Sequence, residues 1–416
     1  MSGPGGAGAR PDDVVLDDLG APQFPAQIGA ALAAMAEAAA GLALEPDALI
    51  AAAVAGTGLD DFGDPSFRPR LEVLCTALRT EAGLSPAGVA GQFGALVALL
   101  SNRLLIEDLV KRHPEVLEVR IERPIVICGL PRTGTTHLHN LMSADPALRS
   151  LPYWESLQPV VAPGEPDLRL DRAARAVEFT NAAMPHFKRM HEMTVDHVHE
   201  EIQLLAIDFS TMLFETIAPM PTWRDYYLSH DQRPSYAYLA RVLKVLQWSR
   251  GGTRWVLKSP QHLEQFPALF ETFPDATFVV THRDPVSVTA SMATMLAYSA
   301  RMSHDHVDPV GVGRYWAARL ETMLRRCVTD RDVLPAARSI DVRFDEFMAD
   351  DIAMVERIYG IAGQPFDAST RSAMASFMAS HPRGRHGGVR YDMAAVGLDA
   401  AERRAALAFY SSRFGV

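Results

Sequence analysis

Cysteine is scarce in this chain: of 416 residues only Cys75, Cys128 and Cys327 are cysteines. An odd number without paired spacing excludes a disulfide framework and a cysteine metal knuckle, and fits a reducing, cytoplasmic setting. Positive charge is also short. Lys and Arg number 40 against 50 Asp and Glu, a formal net charge of -10. The basic stripe of a nucleic-acid binder is therefore missing, and any cationic site must be local. The first twenty residues hold no apolar stretch behind a basic start, so no secretory signal is expected. Rich in Gly, Pro and Asp, they are expected to form a flexible tail over residues 1–20. No transmembrane segment is expected either, because the Ala-rich stretch over 26–56 is broken by Glu37, Glu45, Pro46 and Asp47, too often for a span of roughly 20 apolar residues. Internal repeats are absent.

What is present divides in two. From residue 24 to 113 apolar residues recur near a period of 3.6, with helices expected at 46–54, 67–81 and 85–111. This sets off an N-terminal helical region, residues 21–120, from the rest. After residue 121 the grammar becomes strand, loop and helix, with further strands expected at 254–258, 277–281 and 339–344. Strands alternating with helices predict a parallel sheet covered on both faces, an α/β three-layer sandwich of P-loop type spanning 121–416. A helical insertion over about 152–249 separates the first two strands and offers a place for an acceptor. Its Met and aromatic residues, among them Met184, Phe187, Met190, Met193, Phe209, Met212, Phe214, Trp223, Tyr226 and Tyr227, either line a pocket for an apolar alcohol or fill ordinary core.

The chemistry concentrates in Ile125-Val126-Ile127-Cys128-Gly129-Leu130-Pro131-Arg132-Thr133-Gly134-Thr135-Thr136: an apolar strand, a Gly-bracketed loop and a helix start. Gly129 and Gly134 have the spacing of a phosphate cradle, but Thr135 stands where a nucleotide triphosphatase carries the lysine that grips β- and γ-phosphates. The loop can hold one phosphate-like anion through helix amides, the hydroxyls of Thr133, Thr135 and Thr136, and the planar cation of Arg132. No strand ends in a plain Asp to position magnesium. A P-loop kinase or phosphotransferase, and a non-catalytic module with a degenerate nucleotide fold, are the alternatives.

These residues resemble the 5'-phosphosulfate loop of sulfotransferases that use 3'-phosphoadenosine 5'-phosphosulfate (PAPS), with Pro131, Arg132, Thr133, Gly134, Thr135 and Thr136 as donor-binding residues and Arg132 where many cytosolic members have Lys. The resemblance continues at Phe278-Val279-Val280-Thr281-His282-Arg283-Asp284, where the family carries an Arg and, eight residues on, a Ser for the 3'-phosphate; Arg283 and Ser291 have that spacing. Trp255-Val256-Leu257-Lys258-Ser259-Pro260 resembles the strand that ends in the family's catalytic lysine, so Lys258 is implied to offset charge on the leaving oxygen. Pro260 replaces the histidine that serves small-molecule members as general base. Two replacements compete: Glu155, in Leu151-Pro152-Tyr153-Trp154-Glu155, which resembles the catalytic Glu of tyrosylprotein sulfotransferases, and His191 or His197, in a cluster with His199, Glu192, Glu200 and Glu201. His197 and His199 with nearby acids also have ligand chemistry, but sulfonate transfer needs no cation, and no metal is expected. Loosely, His381-Pro382-Arg383-Gly384-Arg385-His386-Gly387-Gly388 resembles the basic loop that closes over the nucleotide, with Arg385 and Gly387 near the 3'-phosphate. The resemblance implies a PAPS-dependent sulfotransferase that releases adenosine 3',5'-bisphosphate and acts on a hydroxyl of a small or lipid-like acceptor, and the Met and aromatic residues of the insertion make an apolar one the expectation. The N-terminal helices could pack on their own core or on a second copy, a homo-oligomer.

Overall fold

The computed structural model describes residues 11–416; residues 1–10 of the expected tail lie outside the described residues. Four helices come first: α1 (Ala26–Ala38), α2 (Pro46–Thr57), α3 (Phe67–Thr80) and α4 (Pro86–Arg112). Helix α4 starts where Ser85 Oγ accepts the amide of Gly88, and Pro86 takes the first position, where its missing N–H costs nothing. It is long and apolar enough to cross a membrane by length and composition. In the fold it is a core helix: Leu100, Leu104 and Ile106 are fully buried, and Arg103 is neutralised by Asp208 at 2.8 Å.

The sheet has four parallel strands, β1 (Ile125–Cys128), β2 (Val256–Ser259), β3 (Thr277–His282) and β4 (Ser339–Arg343), in the order β2-β1-β3-β4. Successive residues of β1 point to opposite faces. Ile125 and Ile127 join one apolar cluster with Val256, Val279 and Ile358. Val126 and Cys128 join the other, with Leu257, Phe278, Leu100 and Trp316. Helix α4 therefore belongs to the same core as one face of the sheet. The chain runs from β1 to β2 on one side and then crosses to β3 on the other. Such a reversal opens a crevice at the carboxyl ends of the strands, where ligands of open α/β sheets bind.

Two expectations are corrected. Residues 11–20 do not hang loose: Val14 pairs with Val389, its N–H donating to the Gly388 carbonyl at 3.1 Å, and Asp18 forms a two-pronged ion pair with Arg301 at 2.7 and 2.9 Å. Both partners are far away in sequence, so composition alone could not foretell them. Second, the insertion is helical at Arg169–Ala183, Pro221–Ser229 and Arg233–Arg250, but residues 190–200 form irregular chain along the crevice. All three cysteines are free and buried.

Candidate active site

The carboxyl ends of β1, β2 and β3 open onto one cavity of about 610 Å³. Seven Lys or Arg residues line it (Arg132, Lys188, Arg189, Lys258, Arg283, Arg383, Arg385) against three acids (Glu192, Asp196, Glu200). An acidic protein thus concentrates positive charge in one concave place, which selects an anionic ligand.

At the centre lies the turn from β1 into helix α5 (Thr135–Ser143). Gly134 caps α5 with φ +87°, a conformation that glycine adopts without a steric penalty. Pro131, Gly134, Thr136 and His137 line the cavity, so the amides of the first turn of α5 are at hand for an anion. Arg132 is held at φ +71°, a rare backbone state for a side-chain-bearing residue and one that gathers at ligand sites. Thr133 Oγ1 donates to the Leu130 carbonyl at 2.6 Å and meets Thr281 Oγ1 at 2.8 Å, locking the loop to β3. Thr135 is buried behind the loop. A Cβ built on Gly129 would lie 1.9 Å from Thr281 Oγ1 and 2.8 Å from Thr135 Cγ2. Gly129→Ala is therefore expected to lower stability by about 1–3 kcal/mol through overpacking and to weaken anion binding. Urea midpoints and calorimetric affinity check this, and a stable, tightly binding variant would refute it.

The two distant motifs meet here. Arg132 Nε donates to Ser291 Oγ at 3.1 Å, across 159 residues of chain, and Arg132 Nη1 donates to the Met190 carbonyl. Arg283 Nη1 donates to the Arg132 carbonyl at 2.6 Å, with its guanidinium carbon 4.0 Å from the centre of the Phe344 ring. Burial, and then the charge of Arg132, lower the proton affinity of Arg283. The sequence predicts two separated cationic cradles. In the fold they adjoin, because parallel β1 and β3 are hydrogen-bonded neighbours.

Lys258, near the end of β2, is 2% exposed and lines the cavity. Its ammonium pairs with Glu200, and its backbone N–H donates to Glu201 Oε2 at 2.8 Å. Glu201 Oε1 lies 2.7 Å from His262 Nε2, and Tyr236 Oη lies 2.8 Å from His262 Nδ1. A carboxylate only accepts, so the His262 nitrogen facing it carries the proton and the other accepts from Tyr236. Burial works to raise the Glu201 carboxyl, but the hydrogen bond from His262 holds it below its ordinary value.

Beside Lys258 stand the imidazoles His191, His197 and His199, ring centres 5.2 and 5.8 Å apart in sequence order. Burial is the main cause, and Lys258 a further one, of proton affinities pushed down to about 3 for His191 and about 2 for His197; His199 falls well below its ordinary value for the same reasons. Nε2 of His197 and Nδ1 of His199 are buried without hydrogen-bond partners. Among the described residues no three or more His, Cys, Asp or Glu side chains are grouped to hold a metal ion.

The late loop also reaches the cavity. Arg385 Nη2 donates to both oxygens of Glu192 at 2.6 and 2.7 Å, and Gly387, at φ +74°, packs so closely that a Cβ would meet Arg189 Nη1 and the Pro11 carbonyl. Arg385 and His386 lower the Glu192 carboxyl against the opposing effect of burial.

Glu155 is not brought to this site. Its carboxylate, 1% exposed, is gripped by Arg149 at 3.1 and 3.3 Å and by Arg250 at 2.9 and 3.1 Å. Arg149 pairs with Trp255 just before β2, at the amino side of the sheet, so Glu155 lies at the opposite edge from the loop. The Met and aromatic residues of the insertion are mostly core as well: Phe209, Met212, Trp223 and Tyr227 are buried to within 1%, and of those named only Met190 lines the cavity. Sequence reasoning missed Thr281, Glu200 as the partner of Lys258, and the segment from Pro11 to Val14 behind the late loop. An acid next to His199 in the histidine cluster gave no hint of which lysine it would meet.

A family model described as "Sulfotransferase family" matches residues 124–368. The chain is 25% identical over 252 residues to omega-hydroxy-beta-dihydromenaquinone-9 sulfotransferase Stf3 of Mycobacterium bovis and of Mycobacterium tuberculosis; the match covers 57% of this chain and 61% of those relatives' length. Among solved structures it is similar to sulfotransferase STF1 of Mycobacterium tuberculosis, with 30% identity and a TM-score of 0.76 over 87% of this chain and 98% of that one. It is also similar to sulfotransferase STF9 of Mycobacterium avium, with 26% identity and a TM-score of 0.81 over 90% and 98%.

Proposed function

The chain belongs to the sulfotransferase family, and on that premise we propose that it moves the sulfonate group of PAPS to the hydroxyl of an apolar acceptor, leaving adenosine 3',5'-bisphosphate. The observation that carries this reading is the convergence of the phosphosulfate-type loop, Lys258 and Arg283 on one cationic cavity, with Ser291 bonded to the cavity-lining Arg132. A donor with an anion at each end of an adenosine needs that much positive charge and an anion-binding helix start in one place.

In the proposed reaction the acceptor oxygen attacks sulfur as the bond from sulfur to the bridging oxygen breaks. The amides of residues 133–136 and the Thr136 hydroxyl hold the 5'-end, and Arg132 and Lys258 meet the charge that grows on the transferring group and the leaving phosphate. Arg283 and Ser291 take the 3'-phosphate, with Arg385 and Gly387 closing over it. Of the bases weighed from the sequence, His191 and His197 line the cavity and Glu155 does not, which supports an acceptor hydroxyl on the imidazole side. Met190 and Met295 supply apolar wall there. The Stf3 relatives act, by their name, on a hydroxylated menaquinone derivative; a lipid-like alcohol is the corresponding acceptor class here.

The test is binding before chemistry. Adenosine 3',5'-bisphosphate without metal is expected to raise the melting temperature and to bind in calorimetry; a ligand at a hundred times its Kd adds about 2.7 kcal/mol of stability. ATP with magnesium should do neither, since Thr135 replaces the triphosphate-gripping lysine. The reverse outcome would favour a phosphotransferase. Mass spectrometry of hydroxylated lipids incubated with PAPS then identifies the acceptor.

A further inference from the structure

Two carboxylates adjacent in sequence hold one lysine by different parts. Glu201 takes the backbone N–H of Lys258 and is fully buried, its other oxygen occupied by His262. Glu200 takes the ammonium. Its side chain is 16% exposed and lines the cavity, and its Oε2 has no hydrogen-bond partner among the described residues. The first carboxylate braces the strand; the second is an acceptor group beside the reacting centre, restrained only by the cation that the chemistry requires.

Resting on the sulfotransferase reading above, we propose that Glu200 is the base that takes the acceptor's proton, and that Lys258 restrains it until the donor claims the ammonium. One ammonium cannot fully neutralise both a carboxylate and a phosphosulfate, and the donor offers more charge and more oxygens to it. Glu200, relieved of its counter-ion beside an anion in a partly desolvated pocket, is then disposed to accept a proton. The acceptor's O–H proton passes to Glu200 as its oxygen bonds to sulfur. The bond from sulfur to the bridging oxygen breaks, and its electron pair stays on the 5'-phosphate beside Lys258. The neighbouring imidazoles are poorer acceptors, because burial and Lys258 have already made them weakly basic. The arrangement also orders the reaction: no base is released until the donor is in place.

Glu200→Gln keeps the size and removes the charge. On the full chain, calorimetry with adenosine 3',5'-bisphosphate is paired with turnover of PAPS, using water or a primary alcohol as acceptor. The variant is expected to bind the bisphosphate about fivefold or more tightly, because Lys258 loses its internal partner, and to turn over about a hundredfold more slowly. A purely structural role would weaken binding together with turnover, and that result, like unchanged turnover, overturns the proposal. If the variant does not fold, Glu200→Asp decides: lowered turnover with affinity retained supports the role, and unchanged turnover removes it. Failure of the unaltered chain to bind the bisphosphate would overturn the sulfotransferase reading and this inference together. Binding by the unaltered chain with an indifferent Glu200→Gln removes the inference alone.

Discussion

Replacing Lys258 by alanine is expected to slow sulfonate transfer by about a hundredfold or more, the cost of roughly 2.7–4 kcal/mol typical of removing one preorganised donor from a developing oxyanion. The expectation rests on placement. Lys258 is almost entirely buried, sits near the carboxyl end of β2, and faces the same cavity as the loop of Arg132. Its backbone is braced by Glu201, and through it by His262 and Tyr236, so the ammonium is presented from a rigid strand rather than from a mobile surface chain. Because that charge matters most when the leaving phosphate carries its new charge, the maximal rate should fall much further than the affinity for adenosine 3',5'-bisphosphate. Saturating-PAPS kinetics and calorimetry on the same preparation separate the two effects. Near-normal turnover by a folded Lys258→Ala protein would remove the lysine from the mechanism.

Acidification is expected to unfold the protein well before its carboxylates are all protonated. Burial lowers His139 to about 4, His191 to about 3 and His197 to about 2, from an ordinary 6.5, and also lowers His199 well below it. The unfolded chain therefore binds protons below pH 6.5 that the folded chain refuses. Stability from these groups is present above that pH and is lost as pH falls from 6.5 toward the folded values. Each refused proton costs about 1.4 kcal/mol per pH unit, so four together approach about 5.6 kcal/mol per unit, set against a total of about 5–15 kcal/mol for a whole protein. Asp341, held down to about 2 by His282 and Arg331 against the opposing effect of its burial, steepens the fall at its lower end. Urea unfolding at pH 7.5, 6 and 5 should show midpoints dropping steeply, and His199→Gln should flatten the slope. Constant stability through pH 5 would show that the imidazoles are hydrated and ordinary.

How much of this was legible in the chain varies with how local the cause is. The strand over 125–128 and the Gly-bracketed turn after it were readable because apolar burial, glycine freedom and helix start all operate within a dozen residues. The strands expected at 254–258 and 277–281 appear at Val256–Ser259 and Thr277–His282, again from local pattern. Glu155 shows the opposite case. Its local sequence resembles that of a catalytic Glu, yet Arg149 and Arg250 neutralise it at the far edge of the sheet, and Arg250 arrives from 95 residues away, beyond the reach of any local signal. The aromatics of the insertion were ambiguous for a related reason: a Met or Phe at helical spacing looks the same whether it faces a pocket or a core.

The chain's own spelling determined the local pieces on which the proposed chemistry rests: a Gly-bracketed loop without a triphosphate-gripping lysine, a lysine near a strand's end and an arginine with a serine eight residues on, all produced by backbone rules that act over short distances. Tertiary structure decided which groups share the cavity. Parallel pairing of β1 with β2 and β3 set the three strand ends side by side, the crossing of residues 190–200 delivered Glu200 to Lys258, and Val14 secured the late loop. Those meetings join residues from about 58 to 375 apart in the chain, and only the closing of a common core fixes distances on that scale.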